Sequence, residues 1–230
     1  MHQDQIKALF DQQAAGYDIQ WAKTAPIRHC LHLLLASFFA ELPKDARILC
    51  VGVGTGAELA FLAQQHPHWS FTVVEPSGGM LDVCRQRTEK EGFASRCIFH
   101  AGYLESLPVS APHNAATCFL VSQFILDQRT RSEFFRAIAS RLEPGGLLAS
   151  SDLAAELNSP EYEVLFPAWM NIMSADSSRE SANRMRQTYA QDVGVLAPNQ
   201  IALIIEAGGF QSSIQFFQAG LIHAWISRRT

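Results

Sequence analysis

Cysteine is sparse and unpaired in pattern. The five residues Cys30, Cys50, Cys84, Cys97 and Cys118 are odd in number and scattered, with no CxxC spacing. That argues against a disulfide framework or a thiolate zinc site and predicts a reduced, cytoplasmic protein. An excess of positive charge is also missing. A formal net charge of -4 gives no general pull toward nucleic acid, which is not expected as a partner. Long uninterrupted apolar runs are absent as well. The stretch from Ala25 to Leu42 is rich in Leu and Phe, but Arg28, His29 and His32 break it. It is too polar to span a bilayer, and its distance from the N-terminus does not suit a secretory signal. There are no repeats, low-complexity tracts or linkers. A chain of 230 residues, 48% hydrophobic and 17% charged, therefore suits one α/β domain with a substantial core.

Strand and helix patterns alternate through the first two thirds of the chain. A short helix fits residues 3–15, and a longer amphipathic one runs from about Pro26 to Leu42. Strands are predicted at Arg47–Val51, Ser70–Val74, Arg96–His100, Ala116–Val121 and Gly146–Ser151. Helices are predicted between them at Ala57–Gln65, Met80–Glu91 and Gln128–Leu142, the last broken by Pro144-Gly145-Gly146. This alternation predicts a parallel sheet covered on both faces. After Asp152 the pattern changes to a mostly helical stretch over 160–192, then a helix at Pro198–Ala207. Two final strands, Ser212–Phe217 and Leu221–Ser227, are joined by so short a turn that they must be antiparallel. The expected organisation is one domain over 1–230. It has a helical cap (1–45), a cofactor-binding core (46–152), a helical insert (153–197) and a tail completing the sheet (198–230).

The first strand runs into Gly52-Val53-Gly54-Thr55-Gly56, and the second ends on Glu75. A glycine turn lets a ligand lie against bare backbone, and an acid at the tip of the neighbouring strand can grip a ribose. The turn formally satisfies GxGxx(G/A), the dinucleotide pattern. Two features oppose a pyrophosphate. Glu58 falls in the opening turn of the next helix, where it repels an anion. The chain also ends in a hairpin where most nicotinamide enzymes supply a second domain. S-adenosylmethionine (SAM) has no phosphate and carries a cationic sulfonium, a ribose diol and an adenine, so it fits better.

Several motifs in order then resemble the class I SAM-dependent methyltransferases, especially small single-domain members such as the quinone-biosynthesis enzymes. Phe10-Asp-Gln-Gln-Ala-Ala-Gly-Tyr17-Asp18 resembles an FDxxAxxYD entry segment. Val51 to Gly56 resembles the first motif, Glu75-Pro-Ser-Gly-Gly-Met80 the acidic ribose loop, and Leu142 to Leu148 the turn before the fifth strand. The resemblance implies a Rossmann-like three-layer α/β/α fold. Its sheet would be mostly parallel and seven-stranded with an antiparallel C-terminal hairpin strand, under a lid of N-terminal and inserted helices. It implies SAM as cofactor, S-adenosyl-L-homocysteine as product and a small-molecule acceptor; a homodimer is compatible with it. Gly52, Val53, Gly54, Thr55 and Gly56 would lie under the methionine part, with Glu75 and Pro76 at the ribose. Met80, Gly102, Tyr103 and Leu104 would border the adenine. Leu120, Val121, Ser122 and Phe124 would line the site near the sulfonium, and Tyr17 would close over it. Two positions depart from the family: Cys50 stands where an acid usually precedes the glycines, and Tyr103 replaces the usual adenine-binding acid. A fainter similarity to the carboxy-SAM synthase family covers the C-terminal half. A non-catalytic SAM-binding protein is the other alternative.

Methyl transfer is an in-line displacement that needs alignment and exclusion of water, and for many acceptors no base. The candidate bases are His29, His32, Tyr17 and Tyr189. His29 and His32 have i, i+3 spacing, but no third ligand is near in the sequence, so no metal is expected.

Overall fold

The computed structural model of the protein describes residues 3–173 and 178–230. Residues 1–2 of the expected cap and 174–177 of the expected insert lie outside them. Among the described residues the strands form one seven-stranded sheet in the order β3-β2-β1-β4-β5-β7-β6. The strands are β1 (Arg47–Val51), β2 (Ser70–Glu75), β3 (Cys97–Ala101), β4 (His113–Phe119), β5 (Leu142–Leu153), β6 (Phe210–Ala219) and β7 (Ile222–Arg229). β1 to β5 pair in parallel, whereas β7 is antiparallel to both β5 and β6. This is the Rossmann-like α/β/α arrangement with a C-terminal hairpin that the motif order implied.

The helices are α1 (Gln3–Gln13), α2 (Tyr17–Gln20), α3 (Ala25–Phe39), α4 (Ala57–Gln65), α5 (Gly78–Lys90), α6 (Gln128–Ala139), α7 (Pro160–Met173), α8 (Arg179–Gln191) and α9 (Pro198–Ala207). None of them is long and apolar enough to cross a membrane. β1 is buried on both sides because each face meets a helical layer. On one face Ile48 and Cys50 pack with Leu35 and Phe39 of α3, Leu59 and Leu62 of α4, and Leu81 of α5. On the other, Leu49 and Val51 pack with Phe135 and Ile138 of α6 and Ile201 and Ile205 of α9. A third cluster joins Phe166, Trp169 and Met170 of α7 to Tyr189 of α8 and Leu221. Most of the aromatic and methionine residues of the insert are therefore core.

Local chemistry sets the element ends. Ser77 caps α5 by accepting from Met80 N–H at 3.2 Å, and Asp127 caps α6 by accepting from Thr130 N–H at 2.8 Å. Two strands start earlier than their hydrophobic patterns predict. β4 begins at His113, a buried polar residue whose ring bonds Thr72 Oγ1 and the Arg141 carbonyl. β5 begins at Leu142 and runs through Pro144-Gly145-Gly146, with a register shift opposite His113 and Ala115. The predicted helix to Leu142 accordingly stops at Ala139.

Candidate functional site

β1 lies between β2 and β4, so the chain connections on its two sides leave in opposite directions. The crevice at the carboxyl ends of the strands opens at that switch point. The glycine turn sits there with Gly52, Gly54 and Gly56 all at positive φ. A Cβ on Gly52 would come within 2.4 Å of Val121, so glycine is required for packing as well as for backbone angle. A Cβ on Gly54 would meet nothing within 4 Å. The backbone is therefore bare toward open space at the middle of the turn.

Glu75, at the tip of β2, is buried and accepts two backbone hydrogen bonds. Gly54 N–H donates to its Oε2 at 2.9 Å, and Ser77 N–H donates to its Oε1 at 2.9 Å. Each oxygen keeps a further acceptor lone pair. Burial nonetheless raises the Glu75 pKa above the usual carboxylate value, against the lowering effect of those two bonds. This acid orders the loop that Cys50 leaves without its usual preceding acid.

The N-terminal segment lies across both sides of the crevice. Asp11 Oδ1 accepts from Ser77 Oγ at 2.7 Å and from Gly79 N–H at 3.0 Å, at the start of α5. The neighbouring Lys7 and then these two bonds lower the Asp11 pKa to about 2. Asp18 accepts from Thr55 Oγ1 at 2.8 Å and pairs with Arg87. Phe10 packs edge-on against Phe124 at 5.6 Å and near Tyr17 at 6.4 Å. Tyr17 is half-buried and held protonated, its pKa raised chiefly by burial.

The turn after β4 is fixed from beneath. Leu120 has φ +58, a strained value for a branched side chain. Two residues on, Ser122 Oγ donates to Asp152 Oδ2 at 2.7 Å and accepts from Arg131 Nε at 2.9 Å. Gln123 N–H donates to Asp152 Oδ1 at 2.8 Å, and Arg131 pairs with Asp152 at 3.0 Å while donating to the Gly194 carbonyl. Arg131 and Asp152 are both fully buried. Ser122 was expected to line the site, but its hydroxyl belongs to this network; Leu120, Val121 and Phe124 remain half-buried. Of the residues expected at the ribose and adenine, Met80 and Leu104 are buried, while Pro76, Gly102 and Tyr103 are half-exposed.

The candidate bases are dispersed. His29 is exposed on α3. His32 is buried, packed against Phe61 at 5.3 Å and stacked near Phe119 at 6.5 Å. Burial, with Arg28 adding to it, lowers its pKa to about 4, too low for an effective base near neutrality. Tyr189 lies in the insert core, accepts from Trp169 Nε1 at 2.8 Å, and is pushed up to about 12 by burial. Sequence reasoning missed Asp11 and Asp18 as latches and Arg131 as the partner of Asp152. Arg131 had a readable signal: it shares the i, i+3, i+4, i+7 stripe of Phe134, Phe135 and Ile138.

The arrangement accepts a cationic adenosyl ligand more readily than a dinucleotide. Glu58 and Glu75 are buried carboxyls beside the glycine turn, and Arg87 is already paired with Asp18. Residues 48–146 match the methyltransferase domain family. A malonyl-[acyl-carrier protein] O-methyltransferase of Geobacter sulfurreducens is 33% identical over 104 residues, 45% of this chain and 37% of that protein. The chain spans from about a quarter to just over half of the curated relatives it matches. Among solved structures, a putative O-methyltransferase from Nostoc punctiforme superposes with TM-score 0.67 at 15% identity, covering 96% of this chain and 60% of the other. The [4+2]-cyclase SpnF superposes with TM-score 0.59 at 20% identity, covering 80% and 59%, so the fold alone does not fix a reaction. The match covers under half of the chain, so it marks residues 48–146 as similar to a methyltransferase domain, and the solved structures share the fold.

Proposed function

We propose that the chain transfers the methyl group of SAM to a small-molecule acceptor held between the N-terminal helices, the turn after β4 and the insert. The observation that carries this reading is the pairing of bare backbone at Gly54 with the buried Glu75 that holds it. That combination offers a ribose an anionic acceptor and the rest of the ligand an unobstructed floor. Bound SAM supplies an electrophilic methyl on a sulfonium.

The chain's own residues would bind, orient and exclude water. Glu75 accepts from the ribose hydroxyls, Met80 and Leu104 flank the adenine, and Phe10, Tyr17 and Phe124 close the crevice above the turn. Tyr17 acts as a hydrogen-bond donor or an apolar wall, since burial keeps its phenol protonated. His32 does not serve as a base in its present environment. Rate acceleration then comes from alignment and desolvation, which favours an amine, a thiol or an acceptor that arrives already ionised. The acceptor of the Geobacter relative does not transfer to this chain. The family match ends at residue 146, before the insert that would contact the acceptor.

Calorimetric titration of the purified protein with SAM, S-adenosylhomocysteine and NAD tests the reading. Micromolar or tighter binding of both adenosyl ligands and no heat with NAD is expected. Binding of NAD without a response to either adenosyl ligand would overturn it. Product formation is then followed with radiolabelled methyl across amines, thiols and carboxylic acids.

A further inference from the structure

Arg131 and Asp152 form a fully buried ion pair that no step of the proposed chemistry uses. Its bonds join two segments far apart in sequence. One is the turn after β4, where Ser122 Oγ and Gln123 N–H both donate to Asp152. The other is Gly194, between α8 and α9, whose carbonyl accepts from Arg131 Nη1 at 2.8 Å. Gly194 N–H donates in turn to the Gln123 carbonyl at 2.6 Å. The Gln123 side chain closes the joint by accepting from Leu153 N–H at 2.7 Å. Gly194 fits so tightly that a Cβ would lie 3.2 Å from the Gln123 carbonyl oxygen and 3.4 Å from Arg131 Nη1.

A pair of this kind needs a reason other than stability. Desolvation offsets much of the attraction between two buried charges, and apolar residues of similar volume often serve as well. What an apolar replacement would lose is direction. Arg131 donates from Nε to Ser122 and from Nη1 to Gly194, while its Nη2 lies 3.0 Å from Asp152. One planar guanidinium thus sets the distance between the turn and the insert's exit. Both segments meet the insert core. Val193 and Val195, on either side of Gly194, are buried in it, and Leu120 and Phe124 pack against it. Leu120 holds φ +58, a backbone value that persists only where surrounding contacts over-determine it.

We propose that Arg131 is a positioning residue for the acceptor: it locks the turn after β4 and the insert's exit into one rigid wall that presents the acceptor to the cofactor. The inference rests on the methyl-transfer reading and deepens it. Arg131 is only 1% exposed, so it acts through Ser122, Asp152 and Gly194 and not by touching a ligand. In-line displacement tolerates little error in alignment, and a misplacement of about 1 Å can lower the rate on the order of a hundred-fold. The glycine turn has its own support, because Glu75 holds it through Gly54 N–H. Val121 packs at Gly52, so loosening the wall should reach cofactor affinity only modestly.

Two variants separate position from charge. Arg131→Lys keeps a cation for Asp152 but lacks the fork that reaches Ser122 and Gly194 together. Gly194→Ala leaves both charges in place and wedges the exit away from Gln123. Each is compared with wild type on the full chain by hydrogen exchange, by calorimetry with SAM and S-adenosylhomocysteine, and by radiolabelled methyl transfer to the panel of amines, thiols and carboxylic acids. Exchange should accelerate together, by about ten-fold or more, in residues 120–125 and 192–196, with β1 and β2 unchanged. Both adenosyl ligands should bind within about three-fold of wild type, whereas kcat with the best-labelled acceptor should fall about ten- to a hundred-fold. Acceleration in only one segment would overturn the shared wall, and a wild-type kcat with both segments loosened would overturn the positioning role. A loss of SAM affinity as large as the loss of kcat would mark general damage and overturn it too. If Arg131→Lys fails to fold, Gly194→Ala, which removes no hydrogen-bonding group, carries the comparison. Should wild type bind SAM yet label no member of the panel, exchange alone decides: joint acceleration upholds the wall and separate acceleration overturns it. A wild-type protein that binds neither adenosyl ligand removes the cofactor reading itself, and this inference with it.

Discussion

Replacing Glu75 with Gln keeps the side chain's shape and separates its two roles. In the folded protein its oxygens accept from Gly54 N–H and Ser77 N–H, both at 2.9 Å. The amide keeps one acceptor but turns an NH2 toward the other donor, leaving a buried N–H unsatisfied at a cost of about 1–3 kcal/mol. An opposing effect acts at the same time. Burial holds the Glu75 carboxyl above its ordinary pKa, so its ionised form is a net burden on the unliganded fold near neutral pH. The two effects largely cancel, and urea unfolding of Glu75→Gln without ligand should shift by no more than about 2 kcal/mol. Ligand binding has no such compensation. Bonds from ribose hydroxyls to a carboxylate contribute roughly 1.5–3 kcal/mol each, so adenosyl ligands should bind about ten- to a hundred-fold more weakly or worse. The assay is paired urea denaturation and calorimetry on the same preparation. A variant that unfolds several kcal/mol more easily yet binds SAM with wild-type affinity would refute the reasoning and reduce Glu75 to a clip for the loop.

Stability without ligand should depend on Glu58. Its pKa is raised from 4.5 to about 7, so the stability it contributes is fully present below about pH 4.5 and is lost as pH rises through 7, roughly 3 kcal/mol in all. Urea midpoints measured from pH 5 to 8 should therefore fall less steeply in Glu58→Gln; an unchanged slope would refute this. Arg131→Met strands the Asp152 carboxylate in a fully buried site and should lower stability by about 3–5 kcal/mol in denaturant unfolding, whereas Arg131→Met combined with Asp152→Asn should recover part of the loss. Asp18→Ala removes the partially exposed latches to Thr55 and Arg87, so hydrogen exchange should accelerate in residues 3–20 while the melting temperature falls by only a few degrees. In steady-state kinetics, Glu75→Gln should raise KM for SAM with kcat nearly unchanged, and a fall in kcat without a change in KM would contradict the proposed ribose contact.

The sheet was legible because its strands are buried on both faces. Runs such as Arg47–Val51 and Ser70–Val74 had nowhere to go but between two helical layers, and the brief Gln218–Gly220 turn permitted only a hairpin. Strand starts were harder to read. His113 hides the beginning of β4 because its polarity is satisfied by Thr72 and the Arg141 carbonyl, partners that exist only after folding. Gly145 and Gly146 look like a helix stop yet lie inside an irregular part of β5. The glycine turn and Glu75 were readable as strand-end features, and the fold brings them together through Gly54 N–H donating to Glu75 Oε2. The latches were not. Asp11 and Asp18 act on residues up to 69 positions away, at Ser77, Gly79, Thr55 and Arg87, and local periodicity carries no record of such contacts. Arg131 and Glu58 fall between these cases. Each is a charge placed on a buried helical stripe, which signals a partner without saying where it lies.

The ribose contact proposed for Glu75 also bears on how labour is divided within the site. Methyl transfer removes charge from the sulfonium, so a carboxylate aimed at sulfur would favour the reactant over the transition state and slow the chemistry. On the proposed reading, Glu75 at the ribose avoids that cost, because the ribose is unchanged when SAM becomes S-adenosylhomocysteine. Such binding energy is uniform across the reaction: it would retain the cofactor and its product alike, and it cannot select an acceptor. On the same reading, selection falls to the other wall, where Phe10 packs against Tyr17 and Phe124, and the strained Leu120 and Phe124 pack against the insert. That wall lies partly outside the family match, and the Arg131–Asp152 pair beneath it fixes the turn that bears Leu120 and Phe124. The ribose side of the crevice as proposed therefore lies within the family match, while the wall proposed to choose the acceptor lies partly beyond it.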